Sequence, residues 1–318
     1  MNPLLRLFYN RAEHRPRALW RILLHAGLVL LLLLAVAAAL AAAGVAPTPE
    51  APGGAGSLLL WISLQAGVVL LACWIAVRAF DRRRFADLGL AVDGRWWIDF
   101  SFGLALGVLL MALVFALEVG VGWAGPVRLS ADRDTLAVVA SYLLIYLVVG
   151  VYEEILSRGY HLVNAFEGLA RLGTPVALAF AVLLSSSVFG VLHAGNPGAT
   201  WISTTNIALA GVLLAAGAVF TGTLAIPIGL HVTWNFAQGP LFGFPVSGVT
   251  PSGSLFSAEQ GGPAVWTGGE FGPEAGIIGV AAMLLGIALT VAYARVTRGV
   301  LGLHEWRRRQ QRWAEVAP

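Results

Sequence analysis

Residues 135–158 read TLAVVASYLLIYLVVGVYEEILSR, a run with no charged residue up to Tyr152 that then meets Glu153, Glu154 and Arg158. A helix needs about 20 apolar residues to cross the hydrocarbon core of a bilayer. The uncharged part is close to that length, and it ends on ionisable side chains that are costly to bury in lipid. This stretch therefore predicts a membrane helix with polar chemistry at one end.

The composition of the whole chain also predicts a membrane protein. Of 318 residues, 58% are hydrophobic and 12% are charged, whereas soluble domains have about 45–50% apolar and about 25% charged residues. Ordinary soluble enzymes and disordered chains are excluded. A disulfide scaffold is excluded as well, because Cys73 is the single cysteine. We predict an all-α, polytopic helical membrane protein.

Eight apolar runs predict about eight spans, and a Gly/Pro/Ser-rich loop at 239–273 separates the last two. We divide the chain into N-terminal helices one to three (1–134), a core of helices four to seven (135–242), and a loop, last helix and basic tail (243–318). The predicted spans are approximately 19–45, 58–80, 98–122, 135–152, 175–193, 202–220, 224–242 and 275–296.

The positive charges predict the orientation of these spans. All twenty basic residues are arginines, and the loops 46–57, 194–202 and 239–273 contain none of them. Because arginine is enriched in cytoplasmic loops, we predict an integral membrane protein with both termini in the cytoplasm. The absence of lysine favours a bacterial plasma membrane. The arginines behind the net charge of +3 flank predicted spans, so we expect the lipid bilayer to be their partner. We expect no nucleic-acid partner.

The helical spacing of nearby charges gives only one of the two glutamates a partner. Glu154 and Arg158 are four residues apart and share a helix face, so they can form an ion pair. Glu153 points elsewhere and lacks that partner, which suits a general base or acid. The alternative for this cluster alone is the end of a span, where charges meet lipid headgroups.

Two further pairs of residues, each with a histidine, lie in later spans. Phe189 and His193 are one helical turn apart, and this histidine alone is as consistent with a structural role. His231 and Asn235 also share one face, where their N–H groups could stabilise a developing oxyanion. The alternative for that pair is a hydrogen-bonded clamp between helices.

Together, the order Glu-Glu-x-x-x-Arg, Phe-x-x-x-His and His-x-x-x-Asn on three successive hydrophobic segments resembles the CPBP intramembrane proteases. This family, also called ABI or CAAX proteases, includes the Ras-converting CAAX endopeptidases. The resemblance covers about 135–242 and implies that helices four to seven form the catalytic core. Many members have Phe directly before the arginine, whereas this chain has Ser157.

The resemblance implies an intramembrane endopeptidase acting on a protein or peptide substrate, including membrane-anchored ones. It implies that Glu153 and His193 hold and activate the attacking water. It also implies that His231 and Asn235 stabilise the oxyanion, and that Glu154 and Arg158 orient the site.

Cofactor use and overall function have alternatives. Glu153, His193 and His231 could together ligate zinc, but the chain lacks a His-Glu-x-x-His helix, so we favour a mechanism without a cofactor. A zinc-dependent protease is the alternative. Two other functions use the same residues: a proton-coupled transporter and a non-catalytic immunity protein.

Overall fold

A computed structural model describes residues 5–45 and 54–299, so the predicted basic tail lies outside the described residues. The chain forms a helical bundle. We number its main helices α1 (Ala18–Ala42), α2 (Gly54–Ala79), α3 (Gly94–Gly120), α4 (Arg133–Leu172), α5 (Thr174–Leu192), α6 (Trp201–Thr221), α7 (Ala225–Phe236) and α8 (Ile277–Arg298).

The remaining elements are short. Two antiparallel pairs of two-residue strands join Tyr9–Asn10 to Arg15–Pro16 and Arg128–Leu129 to Phe256–Ser257. The other short helical segments are Leu5–Phe8, Phe85–Leu88, Ala237–Leu241, Ala264–Thr267, Gly269–Phe271 and Pro273–Ala275. Long apolar helices thus dominate, and the prediction of an all-α polytopic membrane protein is confirmed.

The predicted number of spans needs a correction. Within the described ranges, seven helices rather than eight are long and apolar enough to cross a membrane. The predicted span 224–242 forms α7, which has only 12 residues and is followed by a π-helical turn at Ala237–Leu241 that contains Pro240. Every residue of α7 from Ala225 to Trp234 is buried, so the protein, rather than lipid, surrounds this helix.

Helix α4 is longer than predicted. The sequence places this span at about 135–152 without a clean end, and the helix continues without a break to Leu172. The polar residues beyond Glu154 do not end the helix because they have buried partners. Arg158 binds Glu154, and Asn164 donates to Asp81 at 3.2 Å. The glutamates consequently lie near the middle of α4 instead of at a membrane surface.

Glycines allow α7 to pack closely against α3. A Cβ at Gly103 would lie 2.5 Å from the backbone oxygen of Ile226, and one at Gly107 would lie 2.7 Å from that of Leu230. Small residues four apart permit such close backbone contact between membrane helices. The opposite side of α7 packs on α4, where Gly150 faces Val232. Helix α7 is thereby fixed at the centre of the bundle.

We predict that Gly103→Val displaces α7 and lowers the thermal unfolding midpoint in detergent by several degrees. The added side chain would overlap the backbone of Ile226, and overpacking typically costs about 1–3 kcal/mol. Gly67→Val is the matched control, because a Cβ at Gly67 in α2 meets no atom within 4 Å. Equal midpoints for the two variants would contradict this packing.

Candidate active site

One cavity contains four polar residues that the sequence places on three different segments. It has a volume of about 200 Å³, and Glu153, His193, His231 and Asn235 all line it. Its walls come from α2, α4, α5, α6 and α7, together with the segment 243–276. The fold thus brings together residues that lie up to about 80 positions apart in the chain.

Three of these side chains converge on one point. Glu153 Oε2 lies 3.9 Å from His193 Nε2 and also 3.9 Å from His231 Nε2. These distances are too long for direct hydrogen bonds but suit a single bridging water. Glu153 Oε2 is buried and has no hydrogen-bond partner among the described residues. The arrangement can therefore hold one water molecule against a carboxylate.

The other nitrogen of each imidazole fixes the orientation of its ring. His193 Nδ1 lies 2.8 Å from the carbonyl oxygen of Phe189, which can only accept a hydrogen bond. His231 Nδ1 lies 2.9 Å from Glu154 Oε1. Both rings therefore carry a proton on Nδ1 and direct Nε2 toward Glu153.

Glu154 and Arg158 form the predicted ion pair behind the cavity. Arg158 Nη1 donates to Glu154 Oε1 at 2.8 Å, and both side chains are 0% exposed. The same arginine donates to the carbonyl of Gly211 at 3.1 Å and lies over the ring of Phe189, with its Cζ 4.3 Å from the ring centre. Glu154 thus links α4 to His231 on α7.

Tyr152 is a site residue that the sequence analysis did not single out. Its hydroxyl donates to Glu153 Oε1 at 3.1 Å. Neighbouring residues of a helix do not face each other, so spacing gave no signal for this contact. The bond leaves the second oxygen of Glu153 free to face the histidines.

A π-helical turn at Ile155–His161 follows the two glutamates directly. Such turns are rare and occur often at functional sites. Gly159 within the turn lies close to Leu88 and Leu224, which a Cβ there would approach at 3.2–3.4 Å. The sequence pattern predicted only an ordinary helix here.

The segment 243–276 covers part of the cavity, although we placed it outside the predicted catalytic core. Its residues Val246, Ser247 and Glu274 line the cavity beside the helices. Asn196, three residues after His193, donates to the carbonyl of Ser247 at 3.1 Å. The cavity lining therefore crosses the predicted boundary at residue 242.

Glu274 anchors this covering segment. It is 3% exposed. Its Oε1 accepts from the backbone N–H of Ser247 at 2.5 Å, and its Oε2 accepts from Gln238. Burial raises the pKa of Glu274 to about 7, although the donors from Ser247 and Gln238 act in the opposite direction.

The three candidate zinc donors stand farther apart than the ligands of a bound zinc ion. Within residues 5–45 and 54–299, no group of three or more His, Cys, Asp or Glu side chains could hold a metal ion. Tetrahedral zinc with ligands at 2.0–2.1 Å would bring neighbouring donors to about 3.4 Å from each other, closer than the 3.9 Å that separates Glu153 from each histidine.

We predict that Glu154→Gln destabilises the protein far more than Glu153→Gln does. Removing one partner of a buried ion pair costs about 3–5 kcal/mol, because Arg158 would be left without its countercharge. Glu153 Oε2 has no such partner. Thermal unfolding of both variants in detergent measures the difference, and equal losses of stability would contradict the assigned contacts.

The raised pKa of Glu274 predicts a pH-dependent anchor. Its contribution to stability is complete below the ordinary carboxyl pKa of 4.5 and is lost as the pH rises through about 7. We expect slower hydrogen exchange in residues 247–276 at pH 5.5 than at pH 8.5, after correction for intrinsic rates. Glu274→Gln should remove this difference, whereas Glu270→Gln, at an exposed position of the same segment, should preserve it.

Comparisons with known proteins are consistent with this site. The family model described as "Type II CAAX prenyl endopeptidase Rce1-like" matches residues 135–237, from the start of α4 to just past Asn235. No curated protein and no solved structure gives a significant match. The match covers about a third of the chain and agrees with the resemblance predicted from the sequence. Residues 135–237 of this integral membrane protein are thus similar to the Rce1-like type II CAAX prenyl endopeptidases.

Proposed function

We propose that this protein is an intramembrane endopeptidase that hydrolyses peptide bonds of membrane-associated proteins or peptides. The main support is that Glu153 Oε2 lies 3.9 Å from the Nε2 atom of His193 and 3.9 Å from that of His231. The Rce1-like match supports CAAX-type endopeptidase activity at the level of the family. The proposal includes the roles of the residues that line the cavity.

Glu153 acts as the general base. A water molecule between Glu153 and the histidines gives a proton to Glu153 Oε2 as its oxygen forms a bond to the carbonyl carbon of the substrate. His193 Nε2 accepts the second hydrogen of this water, because its Nδ1 proton is held by the carbonyl of Phe189. Tyr152 holds the other oxygen of Glu153 in place.

His231 and Asn235 stabilise the oxyanion that forms on the substrate carbonyl oxygen. Donors placed at that position typically contribute about 10²–10³-fold in rate. Asn235 lines the cavity and makes no side-chain hydrogen bond to another described residue, so its carboxamide is available. His231 donates from Nε2 when it is protonated, and the carboxylate of Glu154 at Nδ1 stabilises that cation.

Collapse of the tetrahedral intermediate completes the reaction. The C–N bond breaks, and Glu153 returns its proton to the leaving nitrogen. The products are a carboxylic acid and an amine. Glu154 and Arg158 touch no reacting atom in this scheme, and they act as positioning residues that hold His231 and Phe189.

We predict that Glu153→Gln and His193→Ala lower the cleavage rate by about 10²–10⁴-fold, the usual range for loss of general acid–base catalysis. Asn235→Ala should lower it by about 10²–10³-fold. The measurement uses purified protein in nanodiscs with internally quenched peptides. These comprise a farnesylated peptide with a C-terminal CAAX sequence, its non-farnesylated counterpart, and peptides with apolar internal segments.

Two variants serve as matched controls. Glu118→Gln alters a buried carboxylate that binds Gln260 away from the cavity, and Asn206→Ala alters an asparagine of α6 that does not line it. Both should retain activity. Unchanged cleavage by Glu153→Gln would overturn the mechanism, as would activity lost to a zinc chelator and restored by zinc. Binding or proton flux without any cleavage would favour the immunity protein or the transporter.

A further inference from the structure

Many of the described arginines gather at one end of the bundle, which we call the basic end. The starts of α1 and α5 and the ends of α2 and α4 form this end. Along α4, the buried pair of Glu154 and Arg158 lies between Glu153 and the basic end. The arginines here include Arg11, Arg15, Arg17, Arg21, Arg78, Arg82, Arg83, Arg84 and Arg171.

A pocket separate from the candidate active site lies at the basic end, between α1, α4 and α5. Its volume is about 800 Å³, which is within the roughly 300–1,000 Å³ of typical ligand sites. Residues of its wall are exposed on the outside of the bundle, among them Leu19 at 63% and Leu184 at 50%. The pocket is therefore open to the surroundings of the helices.

The polar part of this pocket carries more positive than negative charge. The first turns of α1 and α5 contribute Ala18 and Thr174 to the wall, and neither turn contains an acidic residue. Because the N-terminus of a helix attracts anions, both turns add to the positive potential. The charged residues of the wall are Arg15, Arg17, Arg21, Arg171, Glu13 and Glu167.

Buried ionic contacts hold the inner arginines in place. Glu167 Oε2 lies 2.8 Å from Arg21 and 3.4 Å from Arg15, and Glu167 Oε1 binds Arg83. Arg21 also binds Asp81 at 2.8 Å. An anion that enters the pocket therefore meets positive charges whose positions are already set, which lowers the entropic cost of binding.

The rest of the pocket is an apolar groove between two helices. Leu19 and Ile22 line it from α1, and Leu184 lines it from α5. Leu184 comes 10 residues after Thr174, and a helix rises about 1.5 Å per residue, so the groove extends about 15 Å along α5. A phosphate ion would occupy only the polar part, whereas the groove has the shape and polarity for acyl chains beside a headgroup.

Helix α1 is attached to the bundle mainly in this region. Its buried residues are Ala18, Arg21 and His25, all within its first eight positions. Most of the remaining residues of α1 are exposed. A ligand that contacts both α1 and α5 therefore strengthens the attachment of α1.

From these observations we propose that the pocket at the basic end binds one anionic phospholipid. Its phosphate lies beside Arg17 and Arg171, and its acyl chains lie between α1 and α5. Basic pockets between membrane helices are typical sites for anionic headgroups. This binding does not depend on the proposed protease function, because the pocket shares no lining residue with the cavity that contains Glu153.

The first test measures lipid binding to the purified full chain by native mass spectrometry. Phosphatidylglycerol should bind in preference to phosphatidylcholine with the same acyl chains. Arg171→Gln should lower the affinity for phosphatidylglycerol about fivefold, the usual contribution of one arginine beside an anionic headgroup. Arg78→Gln is the matched control, since Arg78 is an exposed arginine of the basic end that does not line the pocket. Equal affinity for the two lipids, or equal losses in the two variants, would overturn the proposal.

The second test distinguishes a phospholipid from a free anion. Leu184→Trp narrows the groove and should weaken phosphatidylglycerol binding several-fold. Leu183→Trp should leave it unchanged, because Leu183 is 57% exposed and does not line the pocket. Inorganic phosphate, titrated by calorimetry, should bind far more weakly than the lipid. Phosphate binding as tight as that of phosphatidylglycerol, with no effect of Leu184→Trp, would assign the pocket to free anions instead.

The third test measures the thermal unfolding midpoint in nanodiscs. Phosphatidylglycerol added to phosphatidylcholine should raise the midpoint of the wild-type chain by several degrees, because a ligand that binds the folded state stabilises it. The double variant Arg17→Gln/Arg171→Gln should lose most of this increase. Its midpoint in pure phosphatidylcholine shows whether it is folded. An equal increase in the double variant and the wild-type chain would contradict the site.

Discussion

The carboxylate of Glu154 is the contact on which the site depends. It accepts from Arg158 on its own helix and from His231 on α7, at 2.8 and 2.9 Å. Arg158 also reaches Gly211 on α6 and the ring of Phe189 on α5. The buried ion pair thereby joins four helices, and the cost of burying its two charges is offset only while every partner stays in place.

The contacts of Glu154 explain why the carboxylate of Glu153 is left free to bind a water molecule. Because Glu154 neutralises Arg158 and orients His231, Glu153 needs to hold neither of them. Its Oε1 is bound by Tyr152, and its Oε2 faces only the two histidine nitrogens at 3.9 Å. Close packing of α7 against the glycines of α3 fixes the position of His231 and therefore supports the same geometry.

The covering segment and the buried ion pair close two different sides of the cavity. Glu274 and Ser247 tie residues 243–276 over one side of the cavity, while buried ionic groups close the other side. The arginines gather at the closed side.

The sequence by itself determined the all-α membrane class and the pairing of Glu154 with Arg158, because apolar length and four-residue spacing are local properties. It also carried the motifs by which the core resembles a family of intramembrane proteases. It also placed small residues at Gly103 and Gly107, where α7 packs. Only the tertiary structure decided that α4 continues to Leu172, that α7 is too short to span a membrane alone, and that Glu274 joins the cavity. These features depend on partners far apart in the chain, such as Asp81 for Asn164 and Gln238 for Glu274, and no periodicity within a single segment encodes such contacts.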